Sequence, residues 1–460
     1  MADYELIVIG AGPAGQKAAL QAAKLKRRVA VIEREAVVGG ACVSTGTLPS
    51  KTLRETVHYL AGLRTRNLST YDGLSRKRVK IQQLMERKTQ VIGHEIEIIQ
   101  RQLDRNDVDV IPGEAVFVDP HAIRVGMRNG MMKDYTSENF IIATGSRPNM
   151  PPGLPRDHPS VLNSDSVLSL EEIPRTLTIL GGGVIGSEYA CIFACLGTKV
   201  TIVDRRETLM RFLDREISDA LAYQMRASDI TLKMSEQLDT FGVADDGRVE
   251  TRLKSGKVVV GERLFCSMGR ISNTESLGLD KLGIDISSTG LIKVNEHFQT
   301  AQPHIYAVGD VIGFPALAST SMEQGRLAAC HALQVEVRSF PESFPYGIYT
   351  IPEISYAGYT EEELTERQLP YEVGRAEYNE TARGQILGDE SGVLKLLFHR
   401  QTLELLGVHI MGDSATELIH IGQAVIAHRG KITYFTDNVF NYPTLAECYK
   451  VAAFNGLNRL

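Results

Sequence analysis

The chain has 460 residues, 43% of them hydrophobic and 23% charged, with a formal net charge of −6. That length corresponds to about three domains. The mildly acidic balance leaves no basic footprint for nucleic acid. Six cysteines spread over the chain form neither a disulfide scaffold nor a zinc pattern, so no metal is expected. No apolar run reaches the roughly 20 residues that span a bilayer. The N-terminus enters a strand-like run at once, without a signal region, so a cytoplasmic multidomain protein is expected.

Residues 5–9, Glu-Leu-Ile-Val-Ile, read as a short buried strand. Gly10-Ala-Gly12-Pro-Ala-Gly15 follows, then an Ala-rich helical stretch to about Lys26. A second strand over 29–32 ends at Glu33, with Arg34 next. The pattern returns after a constant offset of 171 residues: Gly10, Gly12, Gly15 and Glu33 become Gly181, Gly183, Gly186 and Asp204. The second copy runs from the strand at 177–180, through a helix over 187–196, to the strand at 199–203. In such a unit the first glycine permits the tight strand-to-helix turn. The second lets a pyrophosphate approach the backbone, and the third lets the helix pack on the strand. The helix N-terminus offers unpaired N–H donors to phosphate, and the acid accepts from a ribose. One such motif is weak evidence. Strand, turn, helix, strand and acid occurring twice predict two dinucleotide sites.

The Gly39–Lys51 segment leads into a polar helical region near 52–66, and a long helical pattern covers about 78–104. Residues 139–145 read as a returning strand that ends in a glycine turn. Residues 246–269 read as a hairpin turning at Ser255-Gly256. A strand over 305–308 places Asp310 near its C-terminal end. Beyond about residue 340, Pro341, Pro345 and Pro352 mark a linker and an edge strand. Strands over 393–398 and 405–410 and an amphipathic helix near 414–428 complete an α+β region.

These motifs, from Gly10 to Glu447, resemble the flavoprotein disulfide reductases, a family that includes glutathione reductase, dihydrolipoamide dehydrogenase and mercuric reductase. The most specific pieces are Gly39–Lys51, Ala143–Pro148, Gly269-Arg270, Tyr306–Asp310 and Thr350–Glu353. The resemblance implies an α/β protein with two Rossmann-like dinucleotide-binding domains and a C-terminal α+β dimerisation domain. The FAD-binding domain comprises residues 1–150 and a return segment at 273–340. The NAD(P)-binding domain covers 151–272, and the interface domain 341–460. A homodimer or larger homo-oligomer follows.

Two departures from the family pattern bear on the chemistry. The family's Cys-x4-Cys redox pair has Cys42 here, but Thr47 in the second place. Its C-terminal His-Pro-Thr motif reads Asn441-Tyr442-Pro443-Thr444, with Glu447 retained. A phenol of ordinary pKa is a poor proton shuttle at neutral pH. Without a disulfide there is no thiolate to protonate, so both losses fit one change of reaction. With Gly46–Lys51, this combination resembles the family's transhydrogenase branch. The implied reaction is FAD-dependent hydride transfer between NADPH and NAD+, ping-pong through the flavin. An NAD(P)H:quinone or dye oxidoreductase using the same flavin is the alternative.

By this resemblance Lys51 and Glu188 pair and flank the reacting rings. FAD falls to Gly10, Gly12, Gly15, Glu33, Arg34, Gly40, Cys42, Thr144, Gly145, Arg270, Gly309, Asp310 and the helix beginning near Ala318. The nicotinamide nucleotides, NAD(H) and NADP(H), fall to Gly181, Gly183, Ile185, Gly186, Glu188, Asp204, Arg205, Arg206 and Gly269. Asp204 favours a ribose 2′-hydroxyl, whereas Arg205 and Arg206 favour a 2′-phosphate. Alternatively, one or both arginines face solvent. Cys42 is a packed, inert thiol or a thiolate beside the flavin. Cys191, Cys195 and Cys448 read as packing, and His409 and His420 as structural. Tyr442 is a candidate for closing the pocket.

Overall fold

The computed structural model describes residues 2–65, 81–154, 158–337, 339–341 and 343–460. Its first sheet has parallel strands in the spatial order 109–112, 29–33, 4–9, 132–142, with Ile305–Ala307 beside the last. Alternation along Leu6–Ile9 sends side chains to opposite faces. Leu6 and Val8 join the helices Pro13–Lys24 and Ala318–Ala332, which carry Ala18, Ala19, Ala328 and Ala329. Ile7 and Ile9 meet Phe117 and Ile123 of an antiparallel meander, 114–119 and 122–126, on the other face. Burial on both faces explains why the strand reads as a continuous apolar run.

The second unit repeats this plan. Five parallel strands stand in the order 231–233, 199–203, 176–180, 263–266, 161–162. A three-stranded antiparallel sheet, 238–243, 249–253 and 258–261, lies beside it. The Ser255-Gly256 turn is present, with Gly256 at φ +82°. The expected hairpin over 246–269 is shorter, because Arg263–Cys266 leaves it to pair with Thr176–Leu180 in the parallel sheet. Ser146–Pro148 and Arg270–Ser272 pair antiparallel where the chain passes out of the first unit and back.

The returning strand is longer than its apolar run suggests. It begins at Met132, and only one face of Met132–Asn139 is buried, at Tyr135 and Ser137. The helix expected near 52–66 starts earlier, at Thr47, with Pro49 tolerated in its first turn. The long helix is Ile81–Asp104. The expected helical positions 66 and 78–80 lie outside the described residues.

The C-terminal region is a five-stranded antiparallel sheet in the order 346–348, 354–358, 405–411, 393–399, 371–377. Helices Ala415–Ala427 and Glu447–Leu457 cover one face through Ile419, Tyr449, Ala452 and Ala453. The second unit meets this region through charge. Lys395 is fully buried, and its Nζ donates to Asp214 (2.8 Å) and Glu361 and lies 3.0 Å from Glu216. No helix among the described residues is long and apolar enough to cross a membrane.

Candidate active site

The two glycine turns are near copies. Gly10 and Gly181 have φ +107° and +100°, a region that disfavours a side chain. A Cβ on Gly15 would lie 1.9 Å from the Gly10 carbonyl, and one on Gly186 lies 1.9 Å from that of Gly181. Both following helices begin at an extended glycine without a side-chain cap, Gly12 and Gly183. Their first N–H groups therefore remain available to an anion.

A cleft of about 950 Å³ begins at the first turn. Gly10, Gly12, Glu33, Arg34, Gly40, Thr144 and Gly145 line it. Arg270, Gly309, Asp310 and Ala318 line it too, as do Cys42, Lys51, Ile185 and Glu188. Gly15 supports the turn from behind. Glu33 is 7% exposed, and its two oxygens accept from the backbone N–H groups of Ala11 and Glu35, both at 2.8 Å. A carboxylate has about four lone-pair sites, so two remain for hydroxyl donors. The Arg34 guanidinium lies 3.3 Å from Glu35, at the cleft's edge.

Asp310 is fixed from two sides. Ser146 Oγ donates to its Oδ2 at 2.6 Å, and Arg270 stands 3.8 Å away while donating to Ser146 Oγ and its carbonyl. Asn273 closes the same wall by exchanging hydrogen bonds with Thr144. The helix Ala318–Ala332 points its uncapped N-terminus into the cleft. Its dipole favours negative charge there.

Lys51 and Glu188 come together from separate units. Lys51 Nζ donates to Glu188 Oε2 at 2.6 Å, and the Tyr349 N–H donates to Oε1 at 2.9 Å. The ammonium also lies 4.9 Å from the Tyr349 ring centroid. Glu188 is 4% exposed, so these partners compensate the burial of its carboxylate. Cys42 lies beside them. Burial pushes its thiol above the ordinary value, and the Thr47 hydroxyl hydrogen-bonded to it acts in the opposite sense. Thr47 thus occupies the place where a disulfide partner would stand. All six cysteines are unbridged. Burial also pushes up Cys191 and Cys448, each to about 12, which suits packed thiols. Cys195 is half-buried against the core around the second fingerprint helix.

Several expected residues stand apart from the cleft wall. Gly181, Gly183, Gly186, Asp204, Arg205 and Arg206 gather at the second turn, and Gly269 forms a bend at φ +92°. Asp204 is engaged by its own loop. Its oxygens accept from Gly182 N–H (2.6 Å), Arg206 N–H (2.8 Å), Arg206 Nε (3.0 Å) and Arg206 Nη2 (2.5 Å). Burial opposes its ionisation, yet these bonds hold the carboxyl below the usual carboxylate range. Arg205 is exposed. Tyr442 is 68% exposed and does not line the cleft within one chain. His409 is buried, bonds the Tyr359 carbonyl at 2.8 Å and stacks on Tyr356, while exposed His420 meets Gln423.

Sequence reasoning missed Ser146, Asn273, Tyr346 and Tyr349. Ser146 stands inside a quoted motif and carried the only local signal. The two tyrosines reach the cleft from the C-terminal sheet edge, a contact that no spacing discloses.

Two dinucleotide turns flanking one cleft, with a lysine–glutamate pair where the units meet, define a two-nucleotide oxidoreductase architecture. Residues 4–325 match the family model for pyridine nucleotide-disulphide oxidoreductases, and residues 344–453 match the dimerisation domain of that family. The chain belongs to the pyridine nucleotide-disulphide oxidoreductase family. A soluble pyridine nucleotide transhydrogenase of Mycobacterium bovis is 48% identical, with 100% of this chain and 98% of that protein covered. One of Marinobacter nauticus is 46% identical, with 99% of each covered. Among solved structures, the HOCl-induced flavoprotein disulfide reductase RclA of Escherichia coli superposes with a TM-score of 0.88 at 27% identity, covering 98% of this chain and 99% of that one. LpdA of Mycobacterium tuberculosis gives 0.90 at 26% identity, with 98% and 99% covered.

Proposed function

We propose that the protein is a transhydrogenase that moves hydride between NADPH and NAD+ by way of a bound FAD, without a redox disulfide. The observation that carries this is Thr47 standing where the family's second redox cysteine would be, with an intact Lys51–Glu188 pair retained in the same cleft. The family's route to a thiol substrate is interrupted, while the groups at the nicotinamide end are kept. The transhydrogenase relatives, matched over the whole chain, support the same reading.

The cleft fits a flavin dinucleotide. Its glycines leave backbone bare for a pyrophosphate, and Glu33 keeps acceptor capacity for a ribose. Bound FAD would supply the two-electron acceptor for hydride. Gly10, Gly12, Glu33 and Gly40 would hold the AMP half, and Asp310, fixed by Ser146, would hold the ribityl chain. Lys51 and the N-terminus of Ala318–Ala332 place positive charge where negative charge develops on reduction. Glu188 fixes the direction of the Lys51 ammonium. The nicotinamide nucleotides use the turn at Gly181–Gly186 in alternation, with Ile185 and Glu188 beside the reacting ring. No side chain has to transfer a proton, consistent with Tyr442 in the histidine position. The chain acts as a homodimer through its C-terminal domain, in the cytoplasm.

Anaerobic stopped-flow mixing tests the reading. NADPH alone bleaches the flavin absorbance, and NAD+ added next restores it at a rate compatible with turnover. Failure of NAD+ to restore it, with rapid reoxidation by a quinone, rejects the proposal.

A further inference from the structure

Lys51 has a second cation behind it. Arg54 follows three residues on in the helix Thr47–Thr65, so the two side chains share one face. Their settings differ. Lys51 has 25% of its side chain exposed and lines the cleft, whereas Arg54 is 3% exposed and does not. Any effect of Arg54 on the cleft has to pass through what it holds.

The Arg54 guanidinium spans two acceptors on one stretch of the C-terminal region. Nη1 lies 2.9 Å from Glu353 Oε1, and Nη2 donates to the Thr350 carbonyl at 3.3 Å. Nη1 also donates to the exposed Glu55 at 3.1 Å. Glu353 is itself buried, and its Oε2 accepts from the N–H and the hydroxyl of Thr416, in the first turn of the helix Ala415–Ala427. The same stretch begins with Tyr349, whose N–H holds Glu188 Oε1 while Lys51 holds Oε2. The contacts close a ring: Lys51 to Glu188, Glu188 to Tyr349, Thr350 to Arg54, and one helical turn back to Lys51. That ring joins both glycine units to the C-terminal region. A buried arginine–glutamate pair adds little stability over well-packed apolar side chains. What a planar fork adds is direction.

We infer that Arg54 is a positioning residue for the hydride exchange. By gripping Thr350 and Glu353 it fixes the Tyr349 N–H, and through it the Glu188 carboxylate and the direction of the Lys51 ammonium. Lys51, Glu188 and Tyr349 are the members of the ring that line the cleft, and Arg54, Thr350 and Glu353 act through them. Glu353 anchors the fork, and Thr416 anchors Glu353 in turn.

This inference rests on the proposed hydride transfer beside the Lys51–Glu188 pair, and its test is read on flavin reduction and on backbone exchange, before NAD+ is added. The double variant Arg54→Met/Glu353→Gln removes the fork without leaving a buried charge, and glutamine still accepts from Thr416. Its holoenzyme is expected to keep FAD. Amide hydrogen exchange over residues 346–353 should quicken, while the strand Val393–His399 stays as in wild type. The limiting rate of flavin reduction by NADPH should fall by roughly tenfold, with the NADPH dissociation constant within about twofold. Arg54→Lys keeps a charge beside Glu353 but cannot span both acceptors, so it should slow reduction by about threefold, and it decides the matter if the double variant loses FAD. In a Glu188→Gln background either change should cost less, because its effect passes through Glu188. Wild-type exchange and reduction in both variants, FAD loss with an unchanged rate per remaining flavin, or an effect undiminished by Glu188→Gln overturns the inference. Normal reduction by NADPH with no reoxidation by NAD+ would reject the transhydrogenase reading and leave these comparisons standing.

Discussion

The two glycine units share one turn and end in opposite electrostatic states. Both open with a glycine at φ near +100° and close with a glycine backed against the first one's carbonyl. The acid after the second strand is buried in each, Glu33 at 7% exposure and Asp204 at 5%. Glu33 takes two backbone donors and remains an acceptor, whereas Asp204 is saturated by Gly182 and Arg206. Their settings differ too. The first unit is enclosed by a strand and helix returning from 305–332 and opens into the large cleft. The second is clamped to the C-terminal sheet through Asp214, Glu216 and Lys395. The same local sequence thus opens into an enclosed cleft in one place and carries an acid already paired by its own loop in the other.

Breaking the clamp should have the largest effect. Lys395→Met leaves Asp214 buried without its ammonium, a loss of about 3–5 kcal/mol. Urea unfolding followed by flavin release should show it, with the second unit and the C-terminal region loosened first. The pH dependence has a definite sign. The carboxylates raise the Lys395 pKa against burial, so its contribution is complete below the ordinary lysine value and is lost only as pH rises through the higher folded one. Burial opposes ionisation of Asp214, but His409 and Lys395 hold it below its ordinary value. Its contribution is therefore lost only as pH falls through that lowered value. The difference between wild type and Lys395→Met should be flat from about pH 7 to 10 and shrink below about pH 4.

Next comes the point where the units meet. Lys51→Met removes the cation and strands Glu188, and flavin reduction by NADPH should slow by about 100-fold. Glu188→Gln leaves one oxygen that can accept from Lys51 or from the Tyr349 N–H but removes the second acceptor, so it should slow less than Lys51→Met. Equal effects would mean that Glu188 acts in its own right.

The acids supply a more selective test. Glu33→Ala should weaken FAD by about tenfold or more, since it strands the Ala11 and Glu35 N–H groups and removes the ribose acceptor. Asp204→Ala should leave FAD content unchanged and alter only the nicotinamide nucleotides. Flavin loss in Asp204→Ala would contradict the division of labour.

Thr47→Cys should have the smallest effect on the fold. The new thiol stands beside Cys42, so oxidised protein should gain a disulfide and take up four electrons per flavin instead of two. Hydride exchange should persist, because Tyr442 still replaces the base that thiol chemistry needs.

The parts that were legible in the sequence are those that backbone geometry dictates. The 171-residue offset disclosed both turns, because a positive φ at Gly10 and Gly181 and a bare helix contact at Gly15 and Gly186 allow little else. Apolar runs disclosed the strands at 4–9 and 176–180, which are buried on both faces. The half-exposed strand Met132–Ile142 and the departure of Arg263–Cys266 from its hairpin were obscured, since tertiary pairing decides both. Lys51 and Glu188 were legible by resemblance. Tyr349 was not, because it approaches from another domain. Asp204 was legible as an acid in the right place but not as a satisfied one. Arg206, two residues on, turns back along its own loop, and a spacing rule does not carry that direction.

The central claim is that electrons rest on the flavin and on no sulfur. The direct measurement is a single anaerobic turnover. Holoenzyme is reduced with one equivalent of NADPH, freed of nucleotide, counted for reactive thiols and then mixed with NAD+. One NADH per flavin, with the same thiol count before and after reduction, is the predicted result. Two additional thiols on reduction, or no NADH formed, would contradict it.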